Sequence, residues 1–174
     1  MMSPTDHEET RLRVLLRTGA SVAGPSPVLD EICQEARHHF GTPISLITLV
    51  DRQKLWVKAA QGLAISELPR DSAFRTYTIL SDDVFVIDDM LADERFTGTP
   101  LVLGEPHLRF YAGAPLVYEK DIRLGSLCIL DIRPHKFSPG GKAELTEMAD
   151  RVVTEIAAQE LGALEPPTTT LLVF

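Results

Sequence analysis

Apolar residues recur at helical spacing at both ends of the chain and in short unbroken runs between them. Residues 5–8, TDHE, fit a helix-capping box, with Thr5 closing free N–H groups and Glu8 reaching back. Leu12, Leu15 and Leu16 then form one narrow apolar stripe, which predicts a helix lying on a surface or on a partner. Residues 18–26 contain Gly19, Gly24 and Pro25 and read as a connection. Ser26 and Pro27 open a second helix as cap and first helical residue. Its wide apolar face is Val28, Leu29, Ile32, Cys33, Ala36 and Phe40, and Gly41 ends it after His38 and His39. At the far end, Ser138 and Pro139 begin a helix with Leu145, Met148, Ala149, Val152, Val153, Ile156 and Ala157 on one side. The spacing continues to Leu161 and Leu164, and Pro166 and Pro167 stop it. The last residues, TTTLLVF, are apolar and β-prone and either dangle or add a strand to an open sheet edge.

Between the helices the period changes. Residues 44–50, ISLITLV, predict a buried strand, 51–53 a turn, and 55–60 a returning strand that carries the sole tryptophan and stops at Gly62. Residues 69–80 fit either a short helix or an extended segment, and residues 84–87 fit a short strand before Asp88 and Asp89. Residues 108–131, LRFYAGAPLVYEKDIRLGSLCILD, predict a central hairpin turning at Glu119, Lys120 and Asp121. Neither of its strands alternates between apolar and polar, so both faces are covered. Gly113 and Gly125 permit close approach of a backbone or a bound molecule, and Pro115 implies a bulge or an edge.

Composition narrows the classes of function. The 174 residues suit one domain with a sizeable core, at 44% hydrophobic and 24% charged. A formal charge of −8 argues against a nucleic-acid partner, because phosphate binding needs basic surface. No apolar run approaches the roughly 20 residues that span a membrane. The opening MMSPTDHEET is too polar for a signal peptide, so the cytoplasm is expected. Cys33 and Cys128 are too few for a disulfide scaffold and sit at core positions, as inert thiols. His7, His38, His39, His107 and His135 are scattered without ligand spacing, so no metal is expected.

The central hairpin resembles that of GAF domains, through Arg109-Phe110-Tyr111-Ala112-Gly113, Pro115-Leu116, Leu124-Gly125, Leu127-Cys128 and Leu130-Asp131. Ala92-Asp93-Glu94-Arg95-Phe96, Thr99-Pro100-Leu101-Val102 and Gly104 are similar to the family's D-RF--NP-V-G pattern, with Thr99 in place of the common asparagine. The likeness covers residues 11 to 161 and implies an α+β fold, a central antiparallel sheet of about six strands flanked by helices. Residues 1–164 would then be a single domain with terminal helices, and residues 165–174 a tail.

The resemblance also implies where to look for chemistry. Bilin-binding members attach their chromophore through a cysteine over the sheet, and related sequences read FC-H there; this chain has Arg75 and Tyr77 instead. Members that reduce free methionine sulfoxide need several cysteines near the pocket. The expected role is therefore a small-molecule-sensing or regulatory module of bacterial signal transduction, with no catalytic residue and no cofactor. The alternatives are an enzyme on this fold, such as the methionine sulfoxide reductase type, and a ligand-free dimerisation scaffold. The family's pocket lies between one sheet face and the segments before the central hairpin. The expected ligand-binding residues are Phe74, Arg75, Tyr77, Asp88, Phe96, Arg109 and Tyr111, with Asp88 pairing Arg109 and Arg75 facing an anionic ligand. The expected partners are an unknown small molecule, a signalling protein and a second copy of the chain. The copies would pair through Leu12, Leu15, Leu16, Val152, Ile156 and Leu161.

Overall fold

The computed structural model describes residues 3–69 and 75–164, without the side chains of 67–69, 75, 76 and 164. Six antiparallel strands form one sheet: β1 (Ile44–Val50), β2 (Lys54–Gln61), β3 (Glu67–Pro69), β4 (Phe85–Ile87), β5 (Phe110–Glu119) and β6 (Ile122–Asp131). Their order across the sheet is β3-β2-β1-β6-β5-β4, so the two outermost strands have three residues each. The helices are α1 (Pro4–Thr18), α2 (Pro27–Phe40), α3 (Arg75–Thr78), α4 (Pro100–Leu103) and α5 (Pro139–Leu164).

The central hairpin forms as its residues demand. Glu119 pairs with Ile122, and Asp121 takes the left-handed conformation in the two-residue turn between them. Pro115 sits at a register shift, beyond the last residue of β5 that β4 pairs with, Gly113, so its missing N–H leaves no ladder bond unmade. Gly125 admits the backbone of β1: a Cβ there would meet the Thr48 carbonyl oxygen at 1.8 Å. The predicted close approach at Gly113 is of another kind, since its neighbour is the Tyr111 ring, with the hydroxyl 2.2 Å from where a Cβ would stand.

One sheet face carries α1, α2 and α5. Leu29, Ile32, Cys33 and Ala36 of α2, and Leu145, Met148, Ala149, Val152 and Ile156 of α5, pack on Ile47, Leu49, Phe110, Ala112, Ala114, Leu127 and Ile129. The other face carries Ile44, Leu46, Tyr111, Cys128 and Leu130, and its cover is Met90, Phe96, Val102 and Leu108 from the segment between β4 and β5.

The start of α1 corrects the predicted capping box. Ser3 is the cap, its hydroxyl accepting the Asp6 N–H at 3.1 Å, because Pro4 supplies the first helical residue ahead of Thr5. Glu8 turns to Arg11 instead, accepting from Nε and Nη2 at 2.9 and 3.0 Å. Arg11 is buried, and its Nη1 donates to the Arg123 carbonyl at 3.3 Å, which ties α1 to β6.

The stripes assigned to a partner copy are largely spent within the domain. Leu12, Leu15, Val152 and Ile156 are buried, while Leu16 is 78% exposed and Leu161 is 64% exposed. The helix docks by a face wider than the leucine stripe, with Arg11, Val14 and Thr18 buried beside Leu12 and Leu15. No helix among the described residues is long and apolar enough to cross a membrane. The tail, residues 165–174, lies outside the described residues.

Candidate ligand site on the loop-covered face

The segment between β4 and β5 is held by its own backbone. The Met90 N–H donates to the Arg109 carbonyl at 2.6 Å, Leu108 to Leu101 at 2.8 Å and Arg109 to Asp131 at 2.8 Å. Asp93 organises a tight turn in which its carbonyl accepts from Phe96 and Thr97, and its carboxylate accepts the Arg95 N–H at 3.0 Å. That turn delivers Phe96 to the buried face and Arg95 to the rim.

Four aromatic rings meet there. Tyr77 stacks on Phe85 with centroids 5.7 Å apart and planes 14° from parallel, and it meets Phe96 edge-on at 5.3 Å. Phe85 reaches Phe96 and Tyr111, each at 6.2 Å. Beneath them the Tyr111 hydroxyl shares a 2.7 Å hydrogen bond with Thr78, and both residues are buried. Gly113 makes this possible, because the ring lies where any larger residue would place its Cβ.

The Arg95 guanidinium covers this group, 5.5 Å from the Tyr77 centroid, 5.4 Å from Phe85 and 5.0 Å from Phe96. Its other partner is Asp93, with Nε to Oδ1 at 3.0 Å and Nη2 to Oδ2 at 2.7 Å. The pair holds the Asp93 carboxyl below its ordinary range and raises Arg95 above its own.

Three of the expected site residues, Tyr77, Phe96 and Tyr111, come together here. Phe74 lies outside the described residues, as does the side chain of Arg75, although Arg75 opens α3. Asp88 does not pair with Arg109. Its carboxylate accepts the Phe137 N–H at 3.4 Å and its carbonyl accepts the His135 N–H at 3.1 Å, because the strand turns Ile87 inward and Asp88 towards the link before α5. Arg109 is half-buried and donates Nη1 to the carbonyls of Val102 at 3.1 Å and Leu108 at 2.8 Å, and no carboxylate pairs with it among the described residues. Thr78, Phe85, Asp93 and Arg95 join the site beyond those the sequence singled out. Arg95 was visible as the residue before Phe96 in the family pattern, but nothing in the pattern says the rings would converge on it.

The thiols are divided between the faces. Cys33 packs under the helices, its Sγ donating to the Ser45 carbonyl at 3.1 Å, and burial pushes it up to about 12. Cys128 is buried on the loop-covered face. A separate cavity of about 270 Å³ opens on the helix-covered side, between the end of α2 and the start of α5. Its histidines are committed to carboxylates, His39 to Glu144 at 2.9 Å and His135 to Asp131 at 2.5 Å. No group of three or more metal-ligating side chains forms among the described residues.

This architecture, a six-stranded antiparallel sheet with helices on one face and an aromatic cluster under short segments on the other, agrees with the family comparison. The family model described as GAF domain matches residues 25–159, and the chain belongs to the GAF domain family. A cyclic di-GMP phosphodiesterase of Pseudomonas aeruginosa is 41% identical over 129 residues, 74% of this chain. The chain spans about a fifth of that relative's length, with 22% covered. Among solved structures, the GAF domain of a phosphoenolpyruvate-protein phosphotransferase from Coxiella burnetii is similar at TM-score 0.66 and 20% identity, covering 93% of this chain and all 100% of its own. A free methionine-R-sulfoxide reductase from Neisseria meningitidis, solved with its substrate, is similar at TM-score 0.63 and 18% identity over 94% of this chain and 98% of its own. These likenesses show the fold.

Proposed function

We propose that this chain is a sensory GAF domain of a bacterial signalling protein, and that its loop-covered face takes a small molecule. The carrying observation is the contrast between cover and floor on that face. A wall of aromatic rings and a buried Thr78–Tyr111 hydroxyl pair are closed by one-turn helices and a hydrogen-bonded loop rather than by long helices. Small-molecule sites are built this way, with apolar walls and few polar groups. Arg109 supplies a half-buried guanidinium with no acid beside it among the described residues, and Arg75 opens the short helix over the rings. The relative's name points to a signalling context, in which such a module adjusts the output of attached or partner domains. A binding role fits the thiols better than the reductase role does, since Cys33 and Cys128 stand on opposite faces of the sheet. In this reading two copies pair through the exposed ends of α1 and α5, around Leu16 and Leu161, and transmit the bound state.

Native mass spectrometry of the undenatured protein tests the sensing role, with a co-purifying small molecule as the expected result. A thermal-shift screen of carboxylates, nucleotides and aromatic acids on the native protein, Arg75→Ala and Arg109→Ala then places the ligand. Stabilisation that persists unchanged in both variants removes both arginines from the site. No mass and no shift with any compound leaves the ligand-free scaffold.

A further inference from the structure

The aromatic group on the loop-covered face already holds a cation, and that cation belongs to the chain. We infer that Tyr77, Phe85, Phe96 and Asp93 form a site for an organic cation, a quaternary ammonium or guanidinium head, that Arg95 occupies as an internal stand-in until a ligand displaces it. This inference rests on the proposed ligand-binding role of this face and names the class of ligand.

The geometry is that of a cation site. Three ring centroids lie 5.0 to 5.5 Å from one guanidinium carbon, all inside the distance at which the negative ring faces attract a positive charge. The rings are held by one another at 5.3 to 6.2 Å and by burial of Phe96, so the arrangement does not depend on its occupant. A carboxylate stands at the rim, and it is fixed by the turn it organises. The net charge of −8 favours entry of a cation over an anion.

The occupant is built to leave. The Arg95 side chain is 50% exposed, and its one ionic partner among the described residues, Asp93, is two residues away in the same turn. Such half-exposed ion pairs are weak. Arg95 can therefore rotate into solvent without moving the backbone that carries Phe96, leaving three rings and the Asp93 carboxylate to the incoming cation. Tyr77 is 40% exposed, so the site is reached from the surface. Among the described residues no other cation is packed against three rings.

Tetramethylammonium chloride, titrated against sodium chloride at equal ionic strength, is the probe. Its binding would be followed by thermal shift and by the ring resonances of Tyr77 and Phe85. Arg95→Ala is expected to bind it at least ten times more tightly than the native protein, and Arg95→Lys, which refills the site, to bind as the native protein does. Asp93→Asn keeps the oxygen that caps the turn but releases Arg95, and is expected to tighten binding less than Arg95→Ala does. Adding Tyr77→Leu to Arg95→Ala should abolish the gain. No gain in either Arg95→Ala or Asp93→Asn, or a gain that survives Tyr77→Leu, overturns the inference. The two readings fail separately. If native protein carries no small molecule and answers to no compound, but Arg95→Ala takes tetramethylammonium through Tyr77, the cation site stands without the sensing role. If an anion stabilises the native protein and Arg95→Ala ignores tetramethylammonium, the sensing role stands and the cation site is wrong.

Discussion

The two faces of one sheet are covered in opposite ways. Under α1, α2 and α5 the core is mostly aliphatic, with Phe110, Cys33 and Met148 among it, and is closed by helices of 15, 14 and 26 residues. Under the segment between β4 and β5 the smaller core holds Met90, Phe96, Tyr111 and Cys128 beside its aliphatic residues, and its helices have four residues. Long helices satisfy their own backbone and bring a continuous apolar stripe, so they make a rigid cover. One-turn helices satisfy little of theirs and rely on contacts such as Arg109 Nη1 to the Val102 carbonyl. The first cover carries its own backbone bonds, and the second depends on side-chain contacts for part of its own.

The largest test of that contrast uses identical chemistry on each side. Leu127 in β6 and Leu108 in the loop are both fully buried. Leu127→Ala sits in a central strand between paired neighbours, where little can collapse into the void, and is expected to cost about 4 kcal/mol. Leu108→Ala can be relieved by the loop around it and is expected to cost about 2 kcal/mol, near the bottom of the range for such truncations. Urea unfolding of both variants gives the comparison, and equal losses would remove the distinction between rigid and yielding cover.

A smaller effect sharpens the helix-covered side alone. Burial raises the Cys33 thiol from 9.0 to about 12. Its folded value lies above its unfolded one, so the contribution is fully present below about pH 9 and is lost as pH rises towards 12. By pH 11 the unfolded chain has released a proton that the folded chain keeps, a loss of about 3 kcal/mol at 1.36 kcal/mol per unit. Other groups titrate there too, so the measurement is the difference in stability between native protein and Cys33→Ala at pH 8 and at pH 11. A difference that does not change with pH would show that Cys33 ionises freely in the folded state.

The sequence displayed one of these faces better than the other. The helix-covered side was legible because Leu29, Ile32, Cys33 and Ala36, and later Leu145, Ala149, Val152 and Ile156, repeat at the period of the helices they form. The misjudged stripe on α1 came from the same rule, since periodicity shows that Leu12 and Leu15 share a side but not whether a sheet or a second copy covers it. The loop-covered side has no period to read. Tyr77, Phe96 and Tyr111 were placed there by the family's pattern, and the structure brings them together. The pairing of Asp88 with Arg109 failed because opposite charges in sequence carry no information about which way a strand end turns them. The ring contacts of Arg95 were hidden for a similar reason, since they depend on a turn set by Asp93.

The smallest effect is also the most local. Tyr111→Phe removes the hydroxyl that shares a hydrogen bond with Thr78 and leaves the Thr78 hydroxyl buried without that partner. The expected cost is about 1 to 2 kcal/mol, the penalty for a buried polar group that loses its bond. Thr78 belongs to α3, a single turn with few backbone bonds of its own, so the loss should appear there first. The ring itself stays over Gly113, and the strands beneath keep their register. Hydrogen exchange should therefore quicken at residues 77–80 and remain unchanged in α2 and α5. Equal acceleration in all three would mean that the loop-covered face opens only with the whole domain, and the two faces would not differ in the way their covers suggest.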